Sequence, residues 1–226
     1  MNNLIRKPFK YQQFNVVYWL IGINLLVFLF TSIFGSSFNI ILEINNEKVS
    51  VPISRALAMI PLTVRHGWIW SFVTYMFMHG GFAHIFFNMF GLFMFGVHVE
   101  RQMGSLEFLL YYMMTGILAG IFSFFVFFLT GNFFVALVGA SGAIFAVQLA
   151  YAVLFPTTVI NIWGLIPIRA PLMVLGFTVL SLFFVVTGGG GNVAHLTHLA
   201  GFGFGWIYFL IRFGVDPWRR LTGRNP

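Results

Sequence analysis

The chain has 226 residues, of which 59% are hydrophobic and only 8% charged, with 31 phenylalanines, no cysteine and a formal net charge of +7. So much apolar surface exceeds what a water-soluble core can bury, which points to a polytopic membrane protein. The absence of cysteine excludes disulfides, thiolate catalysis and Cys-ligated zinc or iron–sulfur centres.

In chain order, apolar runs predict spans near Val16–Phe34, Phe82–Val99, Leu106–Leu129, Phe133–Phe155, Pro171–Val186 and Ala194–Phe213, the usual requirement being about 20 residues per crossing. The first run has full spanning length with no small-residue cleavage pattern after it, so it reads as an anchor rather than a signal peptide. The fold class expected is an all-α polytopic membrane protein of six transmembrane helices with both termini on one side. Arg6, Lys7, Lys10, Arg101, Arg169, Arg212, Arg219, Arg220 and Arg224 then share one face, and only Lys48, Arg55 and Arg65 lie on the other. Nine cations against three assign the larger set to the cytoplasm. The basic residues sit at chain ends and between apolar runs, not in a stripe, so no nucleic-acid partner is expected.

This divides the chain into a basic cytoplasmic segment 1–14, a six-span domain 15–213 with an outer loop at about 35–78, and a basic cytoplasmic tail 214–226. In the outer loop, Trp68, Trp70 and Tyr75 are amphipathic aromatics of the kind that favour a membrane interface. Gly188 to Gly191, between spans five and six, reads as a mobile cap over the site or as a plain linker.

Polar and ionisable groups within apolar spans are expensive and usually mark function. Spans two, four and six all run inward from the outer face. His84 and Asn88 lie early in span two, Ser141 opens the helical part of span four, and His198 lies early in span six. Three separately located features thus fall at one depth, in the outer half of the membrane. Gly139 and Gly142 interrupt span four, and what remains to Phe155 is too short to cross a core of about 30 Å. Its helix is expected to begin inside the membrane, with irregular backbone before it and Ser141 near the unpaired amides of a helix start. The same glycines are also compatible with a small-residue packing face.

His198 shares a helical face with Gly201 and Gly205, which lets another backbone approach and an imidazole reach Ser141. A neutral imidazole in hydrogen-bond reach activates a serine; a hydrogen-bonded structural histidine is the alternative, and His195 is read that way. Glu43 and Glu47 fall in the outer loop, and Glu100, Glu107 and Asp216 at cytoplasmic ends, so catalysis would rest on a Ser–His dyad. His84 and Asn88, at i,i+4, supply side-chain donors suited to an oxyanion or a polar clamp between helices. His79 reads as a structural hydrogen bonder near the outer interface.

The ordered set His79-x4-His84-x3-Asn88, Glu100-x3-Gly104, Gly139-x-Ser141-Gly142 and His198-x2-Gly201-x3-Gly205 resembles the rhomboid intramembrane serine proteases of the six-span bacterial type, over nearly the whole chain. The resemblance implies that Ser141 is the nucleophile and His198 the general base. It further implies that His84, Asn88 and the Ser141 backbone amide form the oxyanion hole, and that His79, Gly139, Gly142, Phe145, Gly201 and Gly205 support them. Phe145 would pack on His198 without the tyrosine hydroxyl of some relatives. Ser71 and Gln102 stand where the family commonly has arginine.

The function so implied is cleavage of transmembrane segments near the outer membrane face, through an acyl-enzyme, by a protein of the bacterial cell (inner) membrane. Transmembrane protein substrates and lipid are the partners expected, no cofactor or metal is expected, and the oligomeric state is left open. A non-catalytic relative that binds or escorts membrane helices is the alternative. A metal-dependent transporter or hydrolase using His79, His84, His195 and His198 is disfavoured, since no His-Glu-x-x-His motif occurs and no acidic ligand shares their depth.

Overall fold

The computed structural model describes residues 8–35, 37–44, 47–162, 165–187 and 192–223. The Gly188 to Gly191 segment, read above as a cap or linker, lies outside the described residues, as do residues 1–7 and 224–226 of the two basic ends.

The chain is predominantly helical. α1 (Val16–Phe34) is followed by a hairpin of β1 (Asn39–Ile44) and β2 (Glu47–Pro52), antiparallel with Asn39 opposite Pro52, and by three short helices. These are α2 (Ile53–Leu57), α3 (Pro61–Arg65) and α4 (Ser71–Thr74), the last leading into a 3-10 turn at Tyr75–Phe77. α5 (Phe82–Gly91) runs through a π-helical turn, Leu92–Gly96, into α6 (Val97–Met103), and α7 (Ser105–Leu129) follows after a break at Gly104. Then come α8 (Ser141–Leu154), a hairpin of β3 (Val159–Ile162) and β4 (Ile166–Arg169), α9 (Ala170–Thr187), α10 (Asn192–Tyr208) with a π-helical turn at Phe209–Phe213, and α11 (Pro217–Leu221).

Among the described residues four helices are long and apolar enough to cross a membrane: Val16–Phe34, Phe82–Met103, Ser105–Leu129 and His195–Phe213. Ser141–Leu154 and Ala170–Phe183 are shorter apolar helices. The outer faces of α5 and α9 carry exposed Phe82, Phe86, Phe87, Phe90, Leu172, Leu175, Val179 and Phe183. An apolar surface of that extent belongs against lipid, and the chain is an integral multi-pass membrane protein.

α8 is the hub. Every residue from Gly142 to Val153 except Phe145 is buried, the pattern of a helix enclosed on all sides. α10 packs on it at backbone contact: a Cβ at Gly201 would lie 2.0 Å from the Gly142 carbonyl oxygen. Ser123 and Thr197 hydroxyls, 2.6 Å apart, join α7 to α10.

The run expected as one span from Phe133 is helical only from Ser141 onward. Residues 133–140 are irregular, and their backbone finds partners in the loop after β2. Met59 and Leu137 exchange two hydrogen bonds, Leu62 N–H donates to Phe133 O, and Gly139 N–H donates to Tyr75 O at 2.9 Å. Tyr75 is itself held by α7, its hydroxyl donating to Gly116 O at 2.6 Å and its ring filling the space that a side chain at Gly120 would need.

This corrects the expectation for the loop aromatics. Trp70 is exposed and donates through its indole N–H to Ala56 O, but Trp68 and Tyr75 are buried and serve the core. Ser71 is buried too, its hydroxyl donating to Trp68 O. The two hairpins were not foreseen; among the described residues they add two small sheets to a predominantly helical chain.

At the end of the bundle opposite Ser141, two buried carboxylates hold the N-terminal segment. Glu100 accepts from Val16 and Val17 N–H and from the Ser105 hydroxyl, satisfying donors that the start of α1 leaves free. Glu107 accepts from Arg212 at 2.8 and 2.9 Å, from the Tyr208 hydroxyl at 2.6 Å and from Phe9 N–H. Replacing Glu107 by Ala removes the carboxylate shared by Arg212, Tyr208 and Phe9 N–H, and we expect a loss of about 1.5–3 kcal/mol in unfolding free energy, measured by denaturant titration in detergent micelles. A loss under about 1 kcal/mol would mean that the ion pair holds nothing.

Candidate active site

Ser141 is the first residue of α8, so its N–H belongs to the set that a helix leaves without an intrahelical partner. Gly139, two residues earlier, has φ +114°, a conformation L side chains rarely adopt. The turn made there drops the chain directly into the helix with the serine at its mouth.

The structure brings Ser141 and His198 together across 57 residues of sequence: His198 Nε2 lies 2.9 Å from Ser141 Oγ. The approach depends on the Gly142–Gly201 backbone contact one residue beyond the serine. Phe145, one turn along α8, stacks on the imidazole with centroids 4.1 Å apart and planes 11° from parallel. That contact fixes the plane of the ring, as an aromatic neighbour should. Gly205 continues the same face of α10, where a Cβ would meet the Tyr111 hydroxyl at 2.5 Å.

His84 and Asn88 reach the same place from α5. A Cβ on Gly139 would stand 2.6 Å from His84 Nε2 and 3.6 Å from Asn88 Nδ2. Gly139 is thus required twice, by its backbone angle and by the imidazole above it. Gly80 N–H donates to His84 Nδ1 over a long 3.4 Å, which selects the tautomer with its proton on Nε2, the atom facing Gly139. Asn88 is 6% exposed, and its Nδ2 is buried with no hydrogen-bond partner among the described residues. A buried donor without an acceptor is costly, and this one lies beside the serine that opens α8.

His79 is buried and meets His84 edge to face at 5.1 Å; it backs the His84 ring and does not line the cavity described below. His195 stands edge to face with His198 at 5.7 Å. Among the described residues no three His, Asp or Glu side chains converge as metal ligands. Glu100 and Glu107 are engaged at the far end, Asp216 caps α11 by accepting from Trp218 N–H, and Glu43 and Glu47 lie in the first hairpin.

Ser141, His198, His84 and Asn88 all line one cavity of about 950 Å³ whose remaining walls are mostly apolar, from α5, α8 and α9. Two residues that matter to this geometry escaped the reading of the sequence. Tyr75 positions Gly139 from the loop, where its type alone suggested an interface. Gln148 lines the cavity from α8, and its i+7 spacing from Ser141 was a visible signal.

Residues 66–215 match the family model described as the Rhomboid domain. The chain is also similar to a protein of Bacillus subtilis (strain 168) named "Putative rhomboid protease YdcA", with 32% identity over 148 residues covering 65% of this chain and 68% of that protein.

The geometry yields an expectation about reactivity. Phosphonylation of Ser141 by a fluorophosphonate should be slowed on the order of 10²-fold by Gly139→Ala, the range found on losing one oxyanion donor, because the new methyl displaces His84. Rates followed by fluorescence of the labelled band would check this. Equal rates in wild type and variant would show that His84 does not act on Ser141.

Proposed function

This chain belongs to the rhomboid family, and from that premise we propose that it is an intramembrane serine endopeptidase working through Ser141 and His198. The observation that carries the proposal is the 2.9 Å contact between His198 Nε2 and Ser141 Oγ at the start of a buried half-length helix.

In the reaction proposed, His198 Nε2 takes the hydroxyl proton as Ser141 Oγ attacks the carbonyl carbon of the scissile peptide bond. The carbonyl oxygen gains negative charge and receives hydrogen bonds from Ser141 N–H, His84 Nε2–H and Asn88 Nδ2–H. Collapse breaks the C–N bond, His198 returns its proton to the leaving amine, and the acyl group remains on Ser141. Water then repeats the sequence, losing a proton to His198 and releasing the acid. Phe145 keeps the imidazole in plane through both halves of the cycle.

Six crossings are proposed for the membrane arrangement: α1, α5 with α6, α7, α8 with the irregular residues before it, α9 and α10. Both termini then face the cytoplasm, by the distribution of Lys and Arg, and Ser141 sits in the outer half of the bilayer. Residues 15–213 form the catalytic domain and the basic ends 1–14 and 214–226 flank it. The substrate is the outer part of another protein's transmembrane segment, in the cell membrane of a bacterium. Helix-destabilising or small residues at the cut favour cleavage, because a helical peptide bond is shielded by its own hydrogen bonds.

In liposomes carrying a single-span substrate, the wild type should cut. Ser141→Ala and His198→Ala should each lower kcat/KM by roughly 10³-fold or more while still inserting, and Asn88→Ala should lower kcat by on the order of 10²–10³. A chelator should leave the wild-type rate unchanged. Cutting that survives Ser141→Ala contradicts the mechanism, and a wild type inert towards a panel of substrates favours a non-catalytic, helix-binding role.

A further inference from the structure

Two turns along α8 from Ser141 stands Gln148. Seven helical residues rise about 10.5 Å and return to nearly the same direction, and both side chains line the same cavity of about 950 Å³. The same cavity is lined by Ile144 on α8, Met94 in the π-helical turn after α5, Met173 and Phe177 on α9, and by a further carboxamide, Asn161 on β3. Gln148 is 7% exposed, and its Oε1 is buried with no hydrogen-bond partner among the described residues. A buried amide oxygen left without a donor is expensive. The reaction proposed above does not use it, since a group about 10 Å deeper than the nucleophile does not touch the reacting atoms.

Resting on that protease reading, we propose that Gln148 is a specificity residue that hydrogen-bonds a carboxamide or hydroxyl side chain of the substrate's transmembrane segment, about two helical turns deeper than the cleaved bond. The cavity has walls from α5 on one side and α9 on the other, which suits a segment lying along α8 with its scissile bond at Ser141. A carboxamide carries both donor and acceptor and rotates about its last bond to present either. Asn or Gln on the substrate complements it fully, Ser or Thr in part, and an aliphatic side chain leaves it stranded. Discrimination arises because a site built to hydrogen-bond a polar group rejects the analogue lacking it. Depth follows from geometry: about seven residues inward if the segment is helical there, or about three if it is extended.

The test uses the full chain in liposomes with substrates whose transmembrane segment is Leu and Ala, apart from one Asn moved through positions two to nine inward of the cut. For each position the quantity read is the ratio of kcat/KM with Asn to kcat/KM with Leu. In the wild type the ratio should peak at one depth, by about three- to twentyfold, the range of measured hydrogen bonds between membrane helices. In Gln148→Met, which keeps the volume and fits an apolar wall, the peak should fall to about one. Being a ratio within one enzyme preparation, it does not depend on how much of the variant is folded. A peak that persists in Gln148→Met, or a flat profile in a wild type that does cut, overturns the role of Gln148 and leaves the protease reading standing. A wild type that cuts none of these substrates overturns both.

Discussion

A buried backbone group without a hydrogen-bond partner is costly, and residues 137–140 are irregular and largely buried directly before a buried helix. The loop after β2 meets that demand. Met59, Leu62 and Tyr75 take up backbone groups of Leu137, Phe133 and Gly139, and Tyr75 is fastened to α7 through Gly116 O. The position of Ser141 thus traces back along a continuous line from α7 through a buried tyrosine to Gly139 and into α8.

The same constraint explains why small residues gather around α8. A helix that begins inside the bundle and is enclosed for most of its length must be approached closely by its neighbours. α10 does so at Gly201, and His198, one turn earlier on α10, is carried to Ser141 by that approach. On the other side Gly139 admits His84 and Asn88. The proposed chemistry is the outcome of two close contacts, Gly201 on Gly142 and His84 on Gly139, each possible only where a side chain is missing. Far from the site, Glu100 and Glu107 secure the N-terminal segment, so the polar residues of this chain divide into one set that holds the bundle and another that faces the cavity.

Much of this was legible in the sequence. Ser141 between glycines, His84 and Asn88 one turn apart, and His198 in register with Gly201 and Gly205 stood out because a polar residue contrasts sharply with an apolar background. Helix boundaries were also readable at α1, α7 and α10, where apolar runs end in glycine or in charge. The hairpins were not, since strands such as Val159–Ile162 are built from the same aliphatic residues as the neighbouring helices and offer no contrast in period. Tyr75 was misplaced for a related reason: an amphipathic aromatic suits a membrane interface and a buried hydrogen bond equally, and only Gly116 and Gly120, packed against it, decide between them. Gln148 was overlooked because a single carboxamide inside a helix has no motif around it, although its spacing from Ser141 put it on the same face.

The central claim is that Ser141 attacks within reach of an oxyanion site made by its own amide, His84 and Asn88. The most direct measurement is an experimental structure of the wild type with a phosphonate attached to Ser141. The account requires the phosphonyl oxygen to lie about 3 Å from Ser141 N, His84 Nε2 and Asn88 Nδ2, with His198 still stacked on Phe145. A phosphonyl oxygen turned away from α5, or an adduct on a residue other than Ser141, would contradict it.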